Sequence, residues 1–212
     1  MRLRFLFSAL LLLICNCSEH SSPGRELKKS TKPQSLPILG TLPEFTLTDH
    51  TGSPFGTDQL ESNLWVANFI FTRCPATCPM QSARMAELQD RLKVKDLWAE
   101  ITLVSFSVDP EFDSPDVLRE YGKRFGADPQ KWRFVTGMRD EIWNLSKDGF
   151  KLAVGENPPD QTNQPLFHSQ RLVIVDRNRQ IRGYYDGVSQ EGLDQAESAI
   201  RLVALEHSSA TQ

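Results

Sequence analysis

The chain has 212 residues, enough for one domain of ordinary size with an extension at either end. Its 39% hydrophobic and 24% charged residues suit a folded body with a real core. A net charge of −3 gives no basic field that would hold nucleic acid.

Met1-Arg2-Leu3-Arg4 is a short basic start, and Phe5 to Ile14 is apolar apart from Ser8. A basic head, a short apolar stretch and a polar exit read as an export signal over residues 1–17. The stretch is too short to span a bilayer, which needs about 20 residues. Its end, Leu13-Ile14-Cys15-Asn16-Cys17, lacks a small-x-small cleavage site and resembles a bacterial lipobox. Cleavage before Cys17 puts Ile14 at −3, which fits, and Asn16 at −1, which departs from the small residue usual there. Lipidation is therefore expected at Cys17, tethering the chain to a bacterial membrane with the domain on the extracytoplasmic face. Residues 18–40 are polar and rich in Ser, Lys and Pro, and they read as a flexible, solvated tether.

The folded domain is expected over 41–206, with a disordered tail over 207–212. Residues 44–48 alternate as a strand and Asp49-His50-Thr51-Gly52 is turn chemistry. Leu64 to Phe71 is a continuous apolar run broken only by Asn68, which predicts a buried central strand. Arg73 to Pro79 reads as a loop, and a helix follows from Gln81 to about Val94, with Met85, Leu88 and Leu92 on one face. Ile101 to Val108 is a second buried strand. Ser114-Pro115-Asp116 places a capping hydroxyl, a first-turn proline and an acid at the start of a helix reaching about Phe125. A short strand at 133–135 and a helix from Asp140 to about Lys147 come next. A proline-rich loop follows over 155–165. Strands at 171–175 and 181–185 flank the turn Asp176-Arg177-Asn178-Arg179, and a last helix runs from about Glu191 to Ala204. Strands alternating with helices, then a hairpin and a helix, give an α/β thioredoxin-like fold: a central mixed sheet flanked by helices, with insertions.

Of four cysteines, Cys15 leaves with the signal and Cys17 takes lipid, so Cys74 and Cys78 are the only pair in the folded body. They follow a buried strand and open a helix, where outward N–H groups and the helix dipole favour thiolates. Three intervening residues, one more than the dithiol spacing of thioredoxin, let both sulfurs turn towards one ion. Thiolates select soft ions, and structural zinc and iron–sulfur clusters ordinarily want four protein ligands. Two thiolates with one imidazole suit Cu(I) or Cu(II) better. Of the four histidines, His20 and His207 lie in the terminal extensions and His50 in the first turn. His168 immediately precedes the strand whose entry lies against the cysteine loop in thioredoxin-like folds, so it is the candidate third ligand. A lone surface or hydrogen-bonded histidine is the plain alternative. Met80 reads as core packing ahead of a thioether donor, and the four tryptophans read as packing residues.

Phe69-Ile70-Phe71-Thr72-Arg73-Cys74-Pro75-Ala76-Thr77-Cys78-Pro79, then Ser107-Val108-Asp109-Pro110, then Phe167-His168-Ser169 resemble the Sco/SenC family of copper chaperones, in the same order over roughly residues 40–205. The resemblance implies a copper site at Cys74, Cys78 and His168. It implies delivery of copper to the dinuclear copper centre of cytochrome c oxidase subunit II, or to another copper acceptor. It also matches Asp109 to a family aspartate near the site; an Asp-Pro at a strand end is equally a turn element. Phe167 stands where Asp commonly precedes the histidine. The same two thiols also allow a thiol–disulfide reductase, with Cys74 attacking and Cys78 resolving.

Overall fold

The computed structural model describes residues 35–95, 97–158 and 164–210. The expected export signal, Cys17, His20 and residues 18–34 of the expected tether lie outside them, whereas Gly40 at the tether's end already belongs to the sheet.

The apolar runs form the expected centre. Strand β4 (Leu64–Ile70) and strand β5 (Ile101–Ser107) are buried at every position, and they pair in parallel from Leu64↔Ile101 to Ile70↔Ser107. Strands with both faces covered have no reason to alternate polar and apolar residues. Strand β6 (Trp132–Thr136) adds in parallel to β5. On the other side of β4 lies the antiparallel hairpin of β9 (Arg171–Val175) and β10 (Gln180–Asp186). Its turn is closed by the Asp176 carboxylate, which accepts the N–H groups of Asn178 and Gln180 at 2.9 and 3.0 Å. Three short strands complete the sheet: β1 (Gly40–Thr41) on β10, β2 (Thr46–Asp49) on β6, and β3 (Pro54–Gly56) on β2. The eight-stranded order is β1-β10-β9-β4-β5-β6-β2-β3.

A short helix α1 (Thr57–Leu60) follows β3, and neither element is expected from the residue pattern. Helix α2 (Thr77–Val94) packs against α5 (Gln190–Ala210), and α5 lies on β9 and β10. Helix α3 (Pro115–Arg124) rests on β6 and is capped as the sequence predicts, the Ser114 hydroxyl accepting the Val117 N–H at 3.4 Å. Helix α4 (Arg139–Asn144) runs into a π-helical turn over Leu145–Gly149. Helix α5 reaches Ala210, so helix occupies part of the segment expected as a disordered tail. Among the described residues no helix is long and apolar enough to cross a membrane.

Aromatic rings fill the centre. Phe69 stacks on Phe106 at 5.2 Å, and Phe150 stands edge-on to Phe69 and Trp65. Trp132 is stacked on Phe134 and donates its indole N–H to Ser105, which in turn donates to Asn68. The one polar residue in the β4 run is thus hydrogen-bonded inside the core. The parallel strands β4, β5 and β6 all release their loops at the same, carboxyl end of the sheet. The cysteine loop and the β5–α3 connection lie there.

The candidate metal centre

Two features place the cysteines differently from the expected loop. Helix α2 begins at Thr77, so Cys78 lies within its first turn and only Cys74 precedes it. Pro79 does not delay the helix, because a residue in the first turn has no N–H partner to lose. Both thiols are reduced and buried: Cys74 is 4% exposed and Cys78 is 0% exposed.

The predicted proline-rich loop contains a further hairpin. Strands β7 (Val154–Glu156) and β8 (Leu166–His168) pair antiparallel, and His168 is the last residue of β8. From there its ring reaches Cys78 across 90 residues of sequence, with 3.0 Å between Nε2 and Sγ. The Nδ1 atom lies 2.9 Å from the Ser169 carbonyl oxygen, which can only accept. Nδ1 therefore carries the proton and Nε2 presents its lone pair to the thiol. This is the tautomer a metal-bound imidazole needs, with a backbone carbonyl orienting the ring from behind. Phe71 supports the ring edge-on at 5.7 Å. Burial lowers the His168 pKa, partly offset by the Ser169 carbonyl, so the imidazole is neutral at pH 7.

The two thiols titrate in opposite directions, which corrects the expectation that the helix start favours both thiolates. Burial pushes Cys74 up, but N–H groups of Cys78 and Ala76, with the Cys78 and Thr77 side chains, more than reverse it, and its pKa falls. Cys78 lies deeper, and burial above all raises its pKa far past the ordinary thiol range. Cys74 is thus the readier thiolate and Cys78 the proton donor between it and His168.

Among the described residues no three Cys, His, Asp or Glu side chains already converge at coordination distance. Cys78 and His168 are in contact. The Cys74 thiol is a hydrogen-bond partner of Cys78 and lies 4.0 Å from the Thr77 hydroxyl. An open groove of about 550 Å³ passes His168, lined also by Lys151, Phe167, Arg171 and Tyr184.

Asp109 reaches the residue beside the cysteine, its carboxylate taking the Arg73 Nε–H at 2.6 Å. Its backbone carbonyl also accepts the N–H groups of Phe112 and Asp113, so it builds the turn as well. Met80 is 55% exposed, which overturns its reading as a core residue. Helical geometry explains this: Cys78 faces inward, and a residue two positions on lies on the opposite side of the helix. Trp65 and Trp132 are core residues, while Trp98 and Trp143 are half-buried, each with its indole N–H bonded. His50 is structural, its Nδ1 accepting the Phe134 N–H at 3.3 Å. Thr72 and Asp113, which the sequence reading passed over, are joined by two hydrogen bonds directly ahead of Cys74.

The profile of the SCO1/SenC family matches residues 38–203. The chain is 28% identical over 193 residues to the SCO1 protein homolog of Bacillus subtilis, covering 91% of each protein. Among solved structures it is similar to a SCO1/SenC family lipoprotein from Bacillus anthracis, with 32% identity and a TM-score of 0.73 over 81% of this chain and 99% of that one. It shares its fold with a copper-bound ScoI from Bradyrhizobium japonicum, at a TM-score of 0.64 and 21% identity over 77% of this chain and 99% of that one. These matches span the whole described sheet and both cysteines, and the chain belongs to the SCO1/SenC family.

Proposed function

We propose that this protein is a copper metallochaperone that binds copper through Cys74, Cys78 and His168 and passes it to the dinuclear copper centre of cytochrome c oxidase subunit II. The observation that carries this reading is the Cys78–His168 contact, with the imidazole already in the ligand tautomer. A soft donor set of two sulfurs and one nitrogen suits copper, and three ligands leave a side open for an incoming sulfur. Cys74, at the edge of the site, is the ligand an acceptor thiol would replace first. Cys78 and His168 would follow. The copper-bound ScoI supports the reading to the extent that the same fold accommodates that ion. The B. anthracis relative is a lipoprotein, which accords with an anchor at Cys17 and a domain held on the extracytoplasmic face of the membrane.

Copper titration of the purified chain tests the binding. The parent should take up one Cu(I) with both thiols consumed, and His168→Ala should bind far more weakly while two thiols still titrate. Equal affinity in parent and variant would remove His168 from the ligand set. In cells, loss of the protein should lower oxidase activity at low copper, with rescue by added copper; unchanged oxidase would sink the delivery role.

The opposite titration of the thiols favours a second reading, reduction of a partner disulfide. The Cys74 thiolate would attack one partner sulfur and release the other as a thiol. Cys78 would then displace the mixed disulfide, leaving a partner dithiol and a Cys74–Cys78 disulfide. His168 is dispensable for that chemistry, so His168→Ala separates the two readings.

A further inference from the structure

Strands β4 and β5 run in parallel with Ile70 opposite Ser107, and the ladder continues as the Val108 N–H donates to the Ile70 carbonyl at 2.8 Å. The two loops that leave them therefore run side by side. Asp113, on the second loop, is 0% exposed. Burying a carboxylate is unfavourable by several kcal/mol unless donors meet it. Three do. The Thr72 N–H donates at 3.0 Å, the Thr72 hydroxyl at 2.5 Å and the Ser107 hydroxyl at 2.5 Å. Two of the three come from one residue of the cysteine loop, two positions before Cys74.

Asp109, four residues earlier, holds Arg73, whose guanidinium carbon also sits 5.0 Å from the centre of the Phe112 ring. Both residues ahead of Cys74 are thus tied to the β5–α3 connection. After Cys74 come Pro75 and Ala76, which have no polar side-chain atoms, and then helix α2. With the Cys74 N–H bonded to the Phe71 carbonyl at 3.2 Å, these ties set the backbone that carries the Cys74 thiol. The connection itself has another hold, since Arg139 pairs with Glu111 at 2.6 Å and with Glu156 at 3.0 Å.

We propose that Asp113 is the positioning residue of the cysteine loop: through Thr72 it holds the Cys74 thiol at the level of Cys78 and His168. In its bearing on copper, this rests on the metallochaperone reading above. Asp113 touches neither metal nor partner; it acts through the backbone and hydroxyl of Thr72.

The test uses the full chain with Asp113→Ala, Asp113→Asn and Thr72→Val. Three quantities are read: Cu(I) affinity by competition with a chromophoric chelator, the alkylation rate of Cys74 in metal-free protein, and thermal unfolding. Asp113→Ala should weaken Cu(I) binding about 10- to 100-fold, as loss of an orienting group behind a ligand does. Asp113→Asn should rescue most of this. Its oxygen can accept from the Thr72 N–H and the Ser107 hydroxyl, and its amide can donate to the Thr72 oxygen. Thr72→Val removes one hydrogen bond, leaving Asp113 Oδ1 without its Thr72 donor while the Thr72 N–H and Ser107 hydroxyl still meet Oδ2. It should weaken Cu(I) binding by about 5- to 10-fold and change Cys74 alkylation by a similar factor, with a lower melting temperature because a buried carboxylate oxygen loses a donor, so alkylation is read well below that melting point. Thr72→Val decides the matter even if Asp113→Ala fails to fold: Cys74 alkylation equal to the parent's overturns the proposal. A parent that binds no Cu(I) would remove the copper reading alone, because the alkylation arm does not depend on it.

Discussion

His50 and His168 look alike in sequence and in titration, and they are used in opposite ways. Each sits at the end of a short strand, His50 after β2 and His168 closing β8, and burial lowers the pKa of both. The difference is which nitrogen is committed. His50 accepts the Phe134 N–H on Nδ1, stands edge-on to the Phe134 ring, and its own N–H continues the β2–β6 ladder to the Phe134 carbonyl. His168 donates from Nδ1 to a carbonyl and keeps the Nε2 lone pair facing a thiol. A histidine becomes a candidate ligand through the partner of its other nitrogen, not through its burial.

Three substitutions would break this contrast if it is wrong. Cys78→Ala removes the sulfur that faces His168 and should have the largest effect, lowering Cu(I) affinity by more than about 100-fold, since groups merely behind ligands already account for 10- to 100-fold. His168→Ala should follow at about 100-fold, with the thiol count still two. His50→Ala should leave Cu(I) affinity as in the parent and instead lower the unfolding free energy by about 1–3 kcal/mol, through the Phe134 N–H left without an acceptor. A His50 variant with weak copper binding and unchanged stability would invert the assignment. Chelator competition and urea unfolding of the same preparations supply both readouts.

Proton release sharpens the same contrast within the thiol pair. Between the lowered pKa of Cys74 and the raised pKa of Cys78, only Cys78 must lose a proton to bind a metal, so log affinity should rise by one per pH unit. Below the Cys74 pKa two protons must leave, and the slope should steepen to two. The break falls below the usual thiol value of 9.0 because Cys74 is shifted down. Calorimetry in buffers of different ionisation enthalpy counts these protons; a slope of two right up to pH 9 would deny Cys74 its lowered pKa.

Much of this was legible in the residues, for definite reasons. The largely apolar runs at Leu64–Ile70 and Ile101–Ser107 are the pattern of strands covered on both faces, and Ser114-Pro115-Asp116 that of a helix start. The approach of His168 to Cys78 was legible because the described body holds only two cysteines and few histidines. The hairpin β7–β8 was hidden because its two strands are three residues each and enclose a proline-rich segment. Pro79 disguised the helix start, which placed Cys78 in a loop. Asp113 was lost in the shadow of the Ser114 cap. The parallel register was the signal that could have found it, since it sets the β5–α3 connection beside the cysteine loop.

The smallest expected effect separates the two histidines in acid. In the folded chain burial holds both imidazoles below the usual 6.5, so in that window the unfolded chain binds more protons and stability rises with pH. Stability is therefore lost as pH falls from 6.5 through the folded pKa values. His168→Ala deletes one of the two contributions, and the loss between pH 7 and pH 5 should shrink by about 1.4 kcal/mol for each unit that the His168 pKa is displaced. The carboxylates are common to parent and variant and cancel in the difference. His50→Ala should flatten the curve as well, but from a lower starting stability, because it also loses the Phe134 hydrogen bond. His168→Ala also starts lower at pH 7, because the Ser169 carbonyl loses its Nδ1–H donor and Phe71 its edge-on contact, so the slope with pH and not the starting point carries the comparison. Urea unfolding of the metal-free proteins at both pH values reads this directly. A His168→Ala curve as steep as the parent's would mean that the ring facing Cys78 takes a proton freely, and the neutral ligand tautomer would lose its support.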